Sequence, residues 1–117
     1  MSSTDSKDKA LIIGNSALEK KADDVVILDM QKVSGFCNYF VITGAGSFKK
    51  ARAIAEHIED SLSKKRLEPH HIEGKRDGNW ILIDYGDVVA HVFHEETRRF
   101  YELERLWGDA KKITLNS

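Results

Sequence analysis

The chain has 117 residues, 41% of them apolar, which is enough for one modest core and too few for a second catalytic domain. Its 18 basic and 19 acidic residues leave a formal net charge of -1, so no global field draws it onto RNA or an anionic membrane. The single cysteine, Cys37, excludes an internal disulfide and a CxxC metal pair, which fits a reducing cytosol.

From Met1 to Lys21, charges flank a four-residue apolar island and no continuous apolar run of signal-peptide or membrane-span length occurs, so the expectation is an untargeted, cytoplasmic protein. Residues 1–7 and Ile113 to Ser117 read as frayed ends. Asp8 to Lys21 reads as a helix interrupted by Gly14, because Ala10, Leu11, Ala17 and Leu18 share a face. Val25 to Met30 is a β-branched run bounded by charges and reads as a buried strand, and Tyr39 to Thr43 is a second. Gly44-Ala45-Gly46-Ser47 breaks the pattern. Ser47 is placed to cap a helix in which Ala51, Ile54, Ala55, Ile58 and Leu62 recur at helical spacing. Pro69 ends that region, His70 to Glu73 reads as a short strand, and Lys75 to Asn79 as a polar turn.

Trp80 to Asp84 and Asp87 to Phe93 are strand-like runs on either side of Tyr85-Gly86, where glycine supplies the positive φ of a tight hairpin. That loop pairs Asp84 with Asp87, Leu82 with Val89 and Trp80 with His91. One face then carries Ile81, Ile83, Val88, Ala90 and Val92, an aliphatic set that belongs under helices. The other carries Trp80, Leu82, Val89, His91 and Phe93, a composition suited to a second helix layer or to a protein partner. In the last helix Phe100, Leu103 and Trp107, with Leu106 at the margin, form a core stripe. Tyr101 sits with Thr97, Arg98, Glu104 and Arg105 on a polar side, as an anchor for another protein or as a ring covering the domain edge. The order α-β-β-α-β-β-β-α predicts one α/β domain over residues 1–117, its ordered core about 8–110, with a mixed sheet of about five strands packed with helices.

Enzyme chemistry finds little footing. Gly46-Ser47 opening a helix suits a phosphate, yet metal-dependent nucleotidyl transfer needs converging carboxylates, and no Asp-x-Asp follows Ser47. Asp84 and Asp87 flank a turn, where solvated hairpin ends are the ordinary explanation. His91 and His94 fall on opposite faces of one strand, His70 and His71 are adjacent, and His57 lies on the charged side of its helix, so no shared metal is expected. No spacing identifies a base for Cys37. Lys49, Lys50 and Arg52, with Lys64, Lys65 and Arg66 at the far end, decorate the central helix as a solvated face or as an auxiliary, salt-sensitive RNA contact.

DVVILDMQ (Asp24 to Gln31), NYFVITG (Asn38 to Gly44), the Ser47-initiated helix, GNWILIDYGDVVAHVFH (Gly78 to His94) and FYELERLWGDA (Phe100 to Ala110) resemble, in that order, consecutive blocks of the ribosomal silencing factor (Iojap-like) family. The resemblance covers about residues 8 to 110. Its last two blocks are the specific ones, with a tight GDVV hairpin, an HVF strand and a Y-x-L-E-x-L-W helix at fixed separations. It implies a nucleotidyltransferase-like topology without the catalytic residues, no enzyme activity, no cofactor and no metal. It further implies binding to the large ribosomal subunit through that subunit's protein fourteen, where the small subunit docks, so that subunit association and translation are repressed under nutrient limitation. Mapped onto this chain, the contact surface comprises Trp80, Leu82, Tyr85, Phe93, Arg98, Tyr101 and Glu104. The rival readings are a nucleotidyltransferase-like enzyme and an RNA-binding module. Two features depart from the family pattern: Asn38 stands where an acidic residue is common, and Phe48-Lys49-Lys50 makes the start of the central helix bulkier and more basic. An exposed aromatic face also leaves room for a homodimer when the protein is free.

Overall fold

A computed structural model describes residues 5–32, 35, 37–94 and 111–115. Its elements are α1 (Ser6–Glu19), β1 (Val25–Asp29), β2 (Tyr39–Ala45), α2 (Phe48–Ser63), β3 (His71–Glu73), β4 (Trp80–Asp84), β5 (Val88–His94) and β6 (Lys111–Leu115). The strands form one mixed sheet in the order β3-β4-β5-β2-β1-β6, in which β2 and β5 run parallel and every other neighbouring pair is antiparallel. The last-helix reading, with Phe100, Leu103, Leu106 and Trp107 as its core stripe, lies outside the described residues.

Local chemistry sets the helices. Ser47 caps α2, its Oγ accepting the Lys50 backbone N–H at 3.0 Å, and the expected stripe of Ala51, Ile54, Ala55, Ile58 and Leu62 is buried. In α1 the Asp5 side chain accepts the Asp8 N–H, so the helix starts two residues earlier than the apolar pattern alone indicates. Gly14 lies within the helix and is buried.

Both helices pack on one face of the sheet. Ala10, Ile13 and Ala17 of α1 join the α2 stripe, Val25, Ile27, Val41 and the predicted aliphatic face Ile81, Ile83, Val88, Ala90 and Val92 in one core. At about 1.5–3 kcal/mol for each fully buried large aliphatic side chain, this face dominates the hydrophobic stabilisation of the fold. The opposite face holds a second cluster of Leu28, Met30, Cys37, Ile42 and Phe93, with Val26, Phe40, Trp80 and Val89 half-buried against it. Because β2 is sandwiched between the two clusters, its YFVITGA run is buried almost throughout.

The β4–β5 hairpin corrects the expected register. Trp80 pairs with Phe93, Leu82 with His91 and Asp84 with Val89, and the Tyr85 N–H donates to the Val88 carbonyl at 2.9 Å. The two-residue loop is therefore Gly86-Asp87, with glycine at the first central position and φ +91°, as a type II′ turn requires. The slip is two residues, an even number, so every side chain keeps its predicted face.

The C-terminal end is a second correction. Ile113 to Ser117 read as frayed, yet β6 pairs antiparallel with β1, Ile113 opposite Ile27. KKITL shows no clear alternation, and as an edge strand it needs a partner on one side only. Among the described residues the elements run from Ser6 to Leu115, and the sheet has six strands.

Gly74 fixes the approach of β3 to β4. It adopts φ +79°, and a Cβ there would lie 1.9 Å from the Trp80 carbonyl oxygen. Gly74→Ala is expected to lose about 2 kcal/mol, combining left-handed strain with displacement of the β3 edge. A urea midpoint equal to wild type would contradict this.

Candidate functional site

Alternation along β4 and β5 aims Trp80, Leu82, Val89, His91 and Phe93 away from the two helices. The indole of Trp80 packs on Phe93 with ring centroids 4.9 Å apart, and its Nε1–H donates to His91 Nδ1 at 3.0 Å. Phe40 meets the edge of His91 at 4.7 Å, and the His91 and Phe93 rings are nearly parallel at 6.0 Å. An indole N–H can only donate, so His91 Nδ1 carries no proton and the neutral ring is protonated on Nε2. Burial supports that state, pushing the His91 imidazole down to about 4. Trp80 is thereby held in one orientation before any partner arrives, which lowers the entropic cost of docking on it.

Beside Trp80 opens a cleft of about 240 Å³ lined by Glu73, Gly74, Trp80 and Leu82. Gly74 contributes no side chain, and Leu82 sits opposite Glu73 across the β3–β4 pair. Glu73 in turn bonds His71 Nε2 at 2.7 Å. The result is an apolar wall with an acidic lip.

The turn of the hairpin is clamped to the N-terminal end of α1. Asp87 accepts Lys9 Nζ and Ser6 Oγ, both at 2.6 Å, and Asn38 Nδ2 donates to Ser6 Oγ at 2.8 Å. The backbone N–H groups of Asn38 and Tyr39 both donate to the Asp87 carbonyl. Burial alone would raise the Asp87 carboxyl, but the hydrogen bonds from Lys9 and Ser6, with the Lys9 charge, outweigh it and hold the group below the usual carboxylate range. Asp87 is thus an ion-pair partner rather than the solvated hairpin end its position in the sequence indicates. Asp84 caps the turn locally, its Oδ1 accepting the Gly86 N–H at 2.7 Å.

Of the expected contact residues, Trp80 and Leu82 meet at the cleft, half-buried and with open surface. Two others are corrected. Tyr85 is only 4% exposed, because it closes the turn as a strand end on the helix side rather than lying in the loop. Burial, followed by the charges of Glu59 and Glu68, pushes its hydroxyl well above the usual tyrosine range. Phe93 lies on the predicted face but is fully buried, forming the floor under Trp80. Arg98, Tyr101 and Glu104 lie outside the described residues. Sequence reading missed Glu73 and Gly74, whose one signal is a glycine just after a three-residue strand.

The histidines are spread over several elements. His91 lies in the aromatic layer, whereas His94 packs against Phe48 of α2 at 4.5 Å, and His57 bonds Glu19 at 2.7 Å. Among the described residues no group of three or more His, Cys, Asp or Glu side chains could hold a metal, and no helix is long and apolar enough to cross a membrane. Of the two basic clusters, Lys64 and Lys65 border an open cleft between α1 and α2.

Residues 3–117 match the family described as ribosomal silencing factor during starvation. The ribosomal silencing factor RsfS of Bacillus subtilis (strain 168) is 42% identical over 98 residues, covering 84% of this chain and 83% of that protein. A Mus musculus protein named mitochondrial assembly of ribosomal large subunit protein 1 is 32% identical over 92 residues, 76% of this chain and 40% of that protein. The crystal structure of a Chromobacterium violaceum protein superposes with a TM-score of 0.86 at 26% identity, over 89% of this chain and 87% of that one. With sequence matched nearly end to end and the same sheet and helices in a solved relative, the chain belongs to the ribosomal silencing factor family.

Proposed function

We propose that this protein binds the large ribosomal subunit in the cytoplasm through the subunit's protein fourteen, at the face where the small subunit docks, and so hinders subunit association and represses translation when nutrients are scarce. The family description and the naming of one relative for large-subunit assembly support a ribosomal partner. The observation that carries the choice of surface is Trp80, locked by Phe93 and His91 at the rim of an open cleft. Rigid, half-buried tryptophans beside a pocket are the side chains on which binding energy concentrates. Leu82 completes the apolar contact, and Arg98, Tyr101 and Glu104, which lie outside the described residues, are the further contact residues in this proposal. The acidic lip of Glu73 suits a basic partner surface. Obstruction of a docking face needs no catalytic group, so the protein acts by occupancy and not as an enzyme.

Co-sedimentation with purified large subunits tests this. Wild type is expected to pellet with large subunits and not with small ones, and folded Trp80→Ala to bind at least about tenfold more weakly, to subunits and to isolated protein fourteen alike. Failure of the wild type to pellet with large subunits at moderate salt would overturn the reading. Equal binding by Trp80→Ala would remove the contact from this face.

A further inference from the structure

Among the described residues the large apolar side chain left open to solvent is Phe48, 44% exposed at the first position of α2. Its ring meets that of His94 at a tilt of 41°, centroids 4.5 Å apart. Lys49 is exposed on the same turn, and Lys50 and Arg52 follow, half-buried. The loop carrying Arg76 is laid against this helix start: Arg52 Nη1 reaches the Arg76 carbonyl at 3.4 Å. A Cβ on Gly78 would stand 3.0 Å from the Phe48 carbonyl oxygen.

We propose that this patch takes unpaired nucleotides of ribosomal RNA, Phe48 stacking on a base while Lys49, Lys50, Arg52 and Arg76 neutralise the adjoining phosphates. The inference rests on the reading that the chain docks on the large subunit. The first turn of α2 carries two lysines and no acid, against the helix dipole, and a bound anion relieves that repulsion. Among the described residues, Asp23 beside Gly46, Glu56 one turn after Arg52 and Asp77 beside Arg76 are fewer than the four cations. An exposed aromatic ring on a helix turn that also carries cations matches a polymer that alternates base and phosphate. An acidic peptide would satisfy the lysines and leave Phe48 in water. The patch and the Trp80 cleft share one end of the β4–β5 hairpin on opposite faces of the sheet: His94 under Phe48 follows Phe93, which pairs with Trp80, and the His94 N–H donates to the Asn79 carbonyl.

The test measures binding to isolated large subunits between about 50 and 200 mM potassium chloride for wild type, Phe48→Ala and the pair Lys49→Gln with Lys50→Gln. A photo-crosslinking p-benzoylphenylalanine in place of Phe48 identifies what lies against it. Phe48→Ala is expected to weaken binding about tenfold. The lysine pair is expected to reduce the slope of log affinity against log salt by about 1.4, and the crosslink to form to ribosomal RNA. Unchanged affinity and slope, or crosslinks to ribosomal protein alone, would overturn the RNA contact. If Trp80→Ala still weakens binding in that case, the silencing reading stands. A wild type that does not bind large subunits overturns both.

Discussion

Phe93→Ala is expected to lose about 3–5 kcal/mol of folding stability and to weaken ribosome binding, although the side chain never reaches the surface. Its ring is fully buried among Leu28, Met30, Cys37 and Ile42, and no neighbouring backbone can close the cavity left in the middle of a paired sheet. The same ring is the floor on which Trp80 lies, 4.9 Å away. Removing it frees the indole to choose other rotamers, and the partner must then order it at a cost of about 0.5–1.5 kcal/mol. Trp80→Ala gives the reverse balance, with a smaller stability loss and a larger affinity loss. Urea denaturation alongside subunit binding reads both quantities. A Phe93→Ala protein with wild-type stability would show that the aromatic layer is not packed as described.

Acidification from pH 7 to pH 5 is expected to withdraw about 2 kcal/mol of stability through His91 alone. The unfolded imidazole titrates near 6.5, and burial pushes the folded one down to about 4. Between those values the unfolded chain binds more protons, so stability is complete above pH 6.5 and falls as the pH drops toward 4. Each pH unit in that interval is worth about 1.4 kcal/mol, which gives roughly 3 kcal/mol when the interval is crossed. Protonating Nδ1 also sets two donors against each other, because the Trp80 N–H already points there. Asp87 acts with the same sign in a lower window: its carboxyl is held below 3.8, so its contribution is lost only as the pH falls beneath that value. Denaturation at pH 7 and pH 5 of wild type and His91→Gln separates the effects. The wild type should lose the larger share, and equal losses in both proteins would remove His91 as the cause.

Periodicity carried most of this fold because burial enforces it. The α2 stripe, the aliphatic hairpin face and the opposite aromatic face all appear in the sequence, since a residue on the wrong side of a buried sheet costs more than local propensity can return. The details it missed depend on contacts between distant segments. Whether Tyr85-Gly86 or Gly86-Asp87 forms the loop is decided by Asn38, Ser6 and Lys9 gripping Asp87, residues about 50 and 80 positions away in sequence. β6 was invisible because its partner, β1, lies at the other end of the chain. Trp80 and Leu82 were legible as an apolar pair on a strand. Their cleft was not, because it takes the bare backbone of Gly74 held against the Trp80 carbonyl to leave that space empty.

The parallel pairing of β2 with β5 divides the molecule by chain separation. β1–β2 and β4–β5 are hairpin-like neighbours whose pairing closes short loops, whereas residue 39 meets residue 88 only after α2, β3 and β4 have been placed between them. Loop-closure entropy for the sheet thus falls mainly on this seam and on the β1–β6 pair, and contacts of that kind set the pace of folding in small domains. Lys9 reaching Asp87 from α1 ties the two sides of that seam together. Until the seam closes, the floor beneath Trp80 is incomplete, because Ile42 comes from one side and Phe93 from the other. Competence to dock therefore waits on this long-range contact, and a half-assembled chain has no finished surface to offer a ribosome.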